Sequence, residues 1–352
     1  MVTAPTSIGG GITFNGTVDG ARNLTAIANT TNGTVTYGGL VGSNTALSNL
    51  STTAKTINVT ATTPTKGNTV LTTANQTYSG AVTTSTNLVL NAGGVFTLAS
   101  GSTITNSGTG SGNNIIIVGN RILNNAGSAA LVVGGSAGTN YWQVWSRNAN
   151  PFNTVANGGD NTNGLVNNYV QYDATYPSTI VQGTGNGFLY SLKAPIAVTL
   201  SGTISKLYDG NANAVIPGAN YSPQSGSISA VQGALNGDVV TLTNSLTGTY
   251  SQSNVGSNLV VTPTADPSIS AKTSVANGSK SVYGYAVNFT NTLKGTINPA
   301  TVTVDISATK VYDGTVNYTL SMAPLQVLVV IPLISPIPYL MLVHTLLLAL
   351  LQ

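Results

Sequence analysis

Apolar and polar residues alternate along the first third of the chain. Ile12 and Phe14 flank Thr13, and Val35 and Tyr37 flank Thr36; Leu88 and Leu90 keep the same spacing around Val89, and Gly- and Asn-rich stretches separate the runs. A period of two bounded by turn residues means short strands with one face buried. The runs also recur. Gly10-Gly11-Ile12-Thr13-Phe14-Asn15-Gly16-Thr17-Val18 returns 23 positions later as Gly33-Thr34-Val35-Thr36-Tyr37-Gly38-Gly39-Leu40-Val41, and Leu24 and Leu47 keep that offset. Tyr78-Ser79-Gly80-Ala81-Val82 follows Tyr37 by 41, as Leu88 follows Leu47. A unit of roughly 20 residues holding two or three strands is the size of one coil of a parallel β-helix. Residues 1–125 are therefore expected to be all-β and wound as a right-handed parallel β-helix, with small aliphatic side chains inside and Thr, Ser and Asn outside. A flat β-sandwich would show the same alternation; the recurring period favours the solenoid.

Residues 126–192 abandon this period. Both tryptophans lie here, in Tyr141-Trp142-Gln143-Val144-Trp145, together with Phe152, Tyr169, Tyr172, Tyr176, Phe188 and Tyr190. Two readings stand side by side. Tyr141, Trp142 and Trp145 could form an adhesive aromatic patch that stacks on glycans, or the rings could build a core that caps the open strand edge of the solenoid.

A longer repeat follows. Lys206-Leu207-Tyr208-Asp209-Gly210 returns 104 positions later as Lys310-Val311-Tyr312-Asp313-Gly314; Pro195 matches Pro299, and Val198-Thr199-Leu200 matches Val302-Thr303-Val304. Residues 193–304 form one complete module, expected as a β-sandwich or β-grasp-like unit with clear strands at Ile196–Leu200, Ala214–Ile216, Val239–Leu242, Leu259–Thr262, Tyr283–Phe289 and Thr301–Val304. Asp209-Gly210, Asn236-Gly237-Asp238 and Asn277-Gly278 read as tight turns. Tyr208, Asp209 and Gly210, with their copies Tyr312, Asp313 and Gly314, form a structural turn motif: an Asx turn, with the tyrosine packed beneath it. Calcium ligation by the aspartate is the competing idea, but calcium takes six or more oxygens, and one carboxylate per module falls short. Residues 305–320 begin a second copy. From Ser321 to Gln352 there is no Gly, Asn or charge, and Leu and Pro dominate. A change of reading frame near Ser321 is the expectation for this tail, since Pro324, Pro332, Pro336 and Pro338 interrupt any membrane helix.

Charge and composition then narrow the chemistry. Only 5% of residues are charged; there are 8 acidic residues, all Asp, and no cysteine. Thiol nucleophiles and thiolate metal sites are absent. The net charge of +3 is spread singly along the chain, without the basic stripe that nucleic-acid binding needs. The single histidine, His344, lies in the tail, which leaves no histidine-based triad elsewhere. A two-carboxylate mechanism would have to use scattered aspartates such as Asp160 and Asp173. The expectation is a protein that is not an enzyme and uses no cofactor or metal. No secretory signal is visible after Met1, so an exported protein would carry its signal on sequence upstream.

The long-repeat motif, followed by Gly237-Asp238, Gly248-Thr249-Tyr250, Asn254-Val255-Gly256 and Gly295-Thr296-Ile297-Asn298-Pro299-Ala300, resembles the YDG module of large bacterial exoproteins. The upstream part, with Asn120-Arg121-Ile122-Leu123-Asn124-Asn125-Ala126-Gly127 and Gln171-Tyr172-Asp173-Ala174-Thr175-Tyr176, resembles proteins of the filamentous haemagglutinin type. The resemblance implies a Gram-negative adhesin, secreted or held at the outer cell surface, exported through an outer-membrane two-partner secretion pore. It implies partners on host or neighbouring cells, glycans among them, and leaves self-association open. A stalk that presents a toxin or effector domain is the alternative role.

Overall fold

The computed structural model describes residues 2–3, 10–64, 67–135, 139–274 and 280–301. The second module copy and the apolar tail, with Tyr312, Asp313 and Gly314, lie outside the described residues. Within them the chain is all-β. Its helical residues are three single 3-10 turns, Val155–Asn157, Gly218–Asn220 and Ala230–Gln232. The chain divides into two compact units, one of Met1–Leu200, Pro217–Ser245 and Ala265–Asn291, the other of Ser201–Ile216, Leu246–Thr264 and the residues from Thr292.

The first unit begins as a stack of parallel strands whose register follows the repeat read in the sequence. Gly11–Phe14 pairs with Thr34–Tyr37, which pairs with the second half of Leu50–Val59. Gln76–Thr84, Thr103–Asn106 and Leu131–Val133 follow in order. Identical faces therefore superpose, and Ile12, Val35, Ile57, Val82, Ile104 and Leu131 form one buried aliphatic ladder. A slip by one residue would turn the whole set outward, at about 1.5–3 kcal/mol for each large side chain exposed. The first half of Leu50–Val59 pairs with Leu24–Ile27, and both long strands turn a corner where the register shifts between Thr53 and Thr56. Gly80 makes that corner: its φ is +144°, and a Cβ would stand 1.9 Å from the Ala54 carbonyl oxygen.

A second sheet carries the stack onward. Val70–Thr72, Leu88–Ala92, Ile115–Gly119 and Trp142–Ser146 pair in parallel. The next strand in space is Gly187–Tyr190, and only then Tyr169–Gln171. Lys280–Tyr283 pairs in parallel with Tyr169–Gln171, and Ser268–Ser274, Asp238–Thr243 and Gly226–Ile228 extend the sheet antiparallel. One inward ladder, Leu90, Ile117, Val144, Phe188, Val170 and Val282, thus runs from the short repeats into the long one.

The boundary expected at 192/193 is therefore crossed by hydrogen-bonded strands. Half of the repeat module builds onto the preceding stack, and the module does not close as a free-standing sandwich. Ala194–Leu200 lies between Tyr221–Ser222 and Tyr285–Asn291 in a three-stranded sheet of the same unit. The expected single strand Tyr283–Phe289 is broken at Gly284. Its φ of +85° lets it lie so close to the Tyr172 backbone that a Cβ would stand 2.1 Å from the Tyr172 carbonyl oxygen. The strand expected at Thr301–Val304 lies almost wholly outside the described residues.

The second unit is a five-stranded sheet in the order Thr203–Leu207, Lys294–Asn298, Gly256–Pro263, Thr247–Tyr250 and Asn213–Val215. Ala214, Ile216, Tyr250, Val261, Pro263, Leu293 and Ile297 are among its buried side chains.

Candidate functional site

The turn motif is built around an ammonium group. Asp209 Oδ1 accepts the Asn211 backbone N–H at 3.2 Å, which is the Asx turn, and Gly210 follows with φ +81°. Asn211 Oδ1 accepts the Asn213 N–H at 2.8 Å and makes a second such turn. These turns gather oxygens, and Lys206 fills the space between them. Its Nζ lies 2.6 Å from Asp209 Oδ1 and donates to Asn211 O at 2.9 Å, Asn211 Oδ1 at 3.0 Å and Asn213 O at 3.2 Å. The hydrogen bond from Lys206, and then that from Asn211, hold the Asp209 carboxyl below the usual carboxylate range. The motif's lysine is thus the cation of its own oxygen cage. Among the described residues no group of three or more Asp, Glu, His or Cys side chains is placed to hold a metal.

The tyrosine of the motif differs from expectation. Tyr208 is half-buried, and its backbone N–H donates to Asn298 O at 2.8 Å, prolonging the strand pair. The ring near Lys206 belongs to buried Tyr250, with Nζ 5.9 Å from its centroid. Lys206→Met keeps the stem and removes the charge. It is expected to cost about 1–2 kcal/mol through lost charge-assisted hydrogen bonds, read as faster amide exchange at Asn211 and Asn213; unchanged exchange there would contradict the cage.

The aromatic segment is interior. Trp142 is 3% exposed and Trp145 4%. Trp142 meets Phe188 at 5.3 Å between centroids, and Trp145 meets Tyr176 edge-on at 5.3 Å. Tyr141 is half-buried. Both faces of Trp142–Ser146 are covered, because Ala174, Tyr176 and Val181 pack on Val118, Trp145, Tyr169 and Leu189. Buried indoles offer no face to a sugar ring, so the trio does not form the aromatic patch considered from sequence. The rings instead join the stack to the long repeat: Tyr172 lies 5.3 Å from Tyr285, and Tyr169 lies 6.3 Å from Tyr283.

A concavity does open beside this core. It holds about 420 Å³, with Phe152, Phe188, Tyr190 and Asp160 among its walls and Asn153, Val166 and Asn236 at its lining. Asp160 Oδ1 accepts from Ile122 N and Asn148 Nδ2, both at 3.0 Å, and burial pushes its carboxyl up. Asp173 is exposed in a left-handed turn with φ 50°. Asp160 ties two loops together, and nothing in these contacts pairs it with Asp173. Val166, 69% exposed, had no signal in the sequence beyond its place in a loop.

Fold and sites together define an all-β protein in which a stack of parallel strands runs on into a repeat module that carries a lysine-centred turn. Residues 192–278 match the family model of the YDG domain. No curated protein and no solved structure matches the chain. The match stops short of Lys280–Tyr283, Tyr285–Asn291 and Lys294–Asn298, the strands that complete the sheets around it.

Proposed function

We propose that this chain is a piece of a secreted or surface-exposed bacterial adhesin of the filamentous haemagglutinin type. It acts by binding and by spanning distance, and reaches the surface through an outer-membrane two-partner secretion pore. The short-repeat segment, expected over residues 1–125, is wound as a right-handed parallel β-helix in this reading. The observation that carries it is the uninterrupted inward ladder from Leu90 to Val282, which supports a rod extended by successive rungs and modules. The hollow beside Phe152 is the contact surface in the aromatic segment, with the half-buried Phe152 ring and the exposed amides of Asn153 and Asn236 suited to glycans.

The test uses the purified chain on host cells, neighbouring bacterial cells and glycan arrays. Retention is expected, and Asn153→Ala combined with Val166→Asp is expected to weaken it while leaving the fold intact. Trp142 and Trp145 are unsuitable targets because truncating either opens the core. Folded protein retained on no surface would sink the adhesin reading in favour of a stalk that presents a toxin or effector domain. Protease treatment of intact producing cells tests the location: cleavage of the chain is expected, and full protection would contradict surface display.

A further inference from the structure

The hollow beside Phe152 has a polar atom on its wall that the protein does not use. Tyr190 lines it and is 5% exposed. The ring belongs to the core: Phe152 meets it edge-on at 5.0 Å between centroids, and Phe188 stacks with it at 6.3 Å. The hydroxyl does not. Among the described residues Tyr190 Oη takes no protein hydrogen bond, and it is not sealed in as the unpartnered oxygens of Asn167 and Asn244 are. A phenol hydroxyl held in a nearly buried side chain is costly to leave without a partner, so water or a ligand must supply one from the hollow.

Two carboxylates act on that hydroxyl. After burial, the charges of Asp160 and then Asp238 help to hold its proton on. Asp160 lines the hollow, and Asp238 lies buried with its Oδ2 taken by the hydroxyls of Tyr172 and Tyr285. The cation that acts on Asp160 is Arg121. Its donors go to backbone, Nε to Gly159 O at 3.0 Å and Nη2 to Val155 O. Two negative charges against one positive leave this corner negative, and salt screens such enclosed charges weakly.

Charge complementarity then narrows the ligand. A negative wall repels sugar carboxylates and sulfates and attracts an ammonium. The rest of the lining distinguishes one kind of ammonium from another. Half-buried Phe152 offers its ring to the apolar side of a sugar, and the exposed amides of Asn153 and Asn236 offer donors and acceptors to sugar hydroxyls. A lysine side chain would meet the charge but leave the amides idle. The volume of about 420 Å³ falls within the roughly 300–1,000 Å³ of small-molecule clefts. We propose that the hollow takes a sugar unit bearing a free amine, with the ammonium at the Tyr190 hydroxyl beside Asp160 and the sugar ring against Phe152. This rests on the reading of the hollow as a glycan contact surface and adds the class of glycan.

The experiment titrates the full chain with a short chitosan oligomer, a cellulose-derived oligomer of the same length and a polyuronate oligomer. The chitosan oligomer is expected to bind about tenfold more tightly than its neutral counterpart, the scale of one hydrogen bond to a charged group, and the polyuronate most weakly. Asp160→Asn keeps an acceptor oxygen for Ile122 N–H and should bring the amine and neutral oligomers to parity. Tyr190→Phe should weaken both by about tenfold with thermal stability undiminished, because the hydroxyl has no protein partner to lose. Asp266→Asn, which removes the same charge at an exposed position outside the hollow, is expected to behave as wild type. Equal binding of amine and neutral oligomers would overturn the proposal, as would an amine preference that survives Asp160→Asn. So would a lysine peptide that binds as tightly as the chitosan oligomer. If glycan arrays retain the chain and these oligomers do not bind, the amine class alone fails; if no glycan binds at all, the glycan reading fails with it.

Discussion

Asp238→Ala is expected to destabilise the first unit by about 3–5 kcal/mol, the range for removing one partner of a buried charged network. Asp238 is 5% exposed. Its Oδ2 accepts from Tyr172 Oη at 2.7 Å and Tyr285 Oη at 2.9 Å, and Tyr285 Oη in turn accepts the Leu235 N–H at 2.7 Å. The carboxylate therefore ties the connector to two strands of the module. Truncation leaves two buried hydroxyls without their acceptor. Asp238→Asn keeps an acceptor oxygen and should recover a large part of the loss. Denaturant unfolding measures the total. Amide exchange across Tyr169–Gln171 and Ser281–Tyr283 shows where it acts, and wild-type protection there in the alanine variant would refute the linkage.

Alkaline pH is expected to unfold the same unit cooperatively. Burial pushes the Tyr37 hydroxyl from 10.0 up to about 12. Burial also raises Tyr78, Tyr169, Tyr172, Tyr190 and Tyr285, with nearby charge adding at Tyr172 from Asp238. The sign follows from linkage. Below pH 10 both folded and unfolded chains hold these protons, so the groups do not make stability depend on pH. Above it the unfolded chain releases them first, so stability is lost as pH rises toward the folded values. Each tyrosine contributes about 1.4 kcal/mol per pH unit. Six acting together would exhaust an ordinary domain's stability of about 5–15 kcal/mol within one to two units. Tyrosinate absorbance and loss of circular dichroism should therefore rise together between about pH 10 and 12. Smooth tyrosine titration at pH 10 with the fold retained would contradict the burial.

The short-range grammar of this fold is legible in the sequence. Alternation at Val35 and Tyr37 or at Leu88 and Leu90 gives strands, and the 23-residue offset gives the register that pairs Ile12 with Val35. Asn236 and Gly237, both at positive φ, form the tight turn that their residue types announce. The Asx turn at Asp209 is equally local. What escapes is long-range choice. Nothing in Tyr169–Gln171 or Gly187–Tyr190 says that the later strand pairs first with Trp142–Ser146, because parallel pairing depends on which hydrophobic faces fit, and the local pattern is the same either way. The ring beside Lys206 is Tyr250 and not Tyr208 for the same reason. A cluster of tryptophans is also ambiguous by nature: a large ring with one polar atom suits a binding surface or a core. Only the side chains that cover it decide, and here these are Ala174, Tyr176 and Val181. The repeat length marked the module's span, but a sequence repeat does not reveal which strands borrow a neighbour's edge.

That borrowed edge sets a clock. Tyr169–Gln171 finds its second partner in Ser281–Tyr283, roughly 110 residues further along the chain. At about 5–20 residues per second a ribosome needs on the order of ten seconds to make that stretch. During this interval one strand edge and the ring of Tyr172 await partners not yet synthesised, and unpaired edges of this kind recruit other chains. The nascent protein thus has a defined period of vulnerability that ends when residue 285 emerges, so a chaperone that shields it should act within that period and be dispensable afterwards.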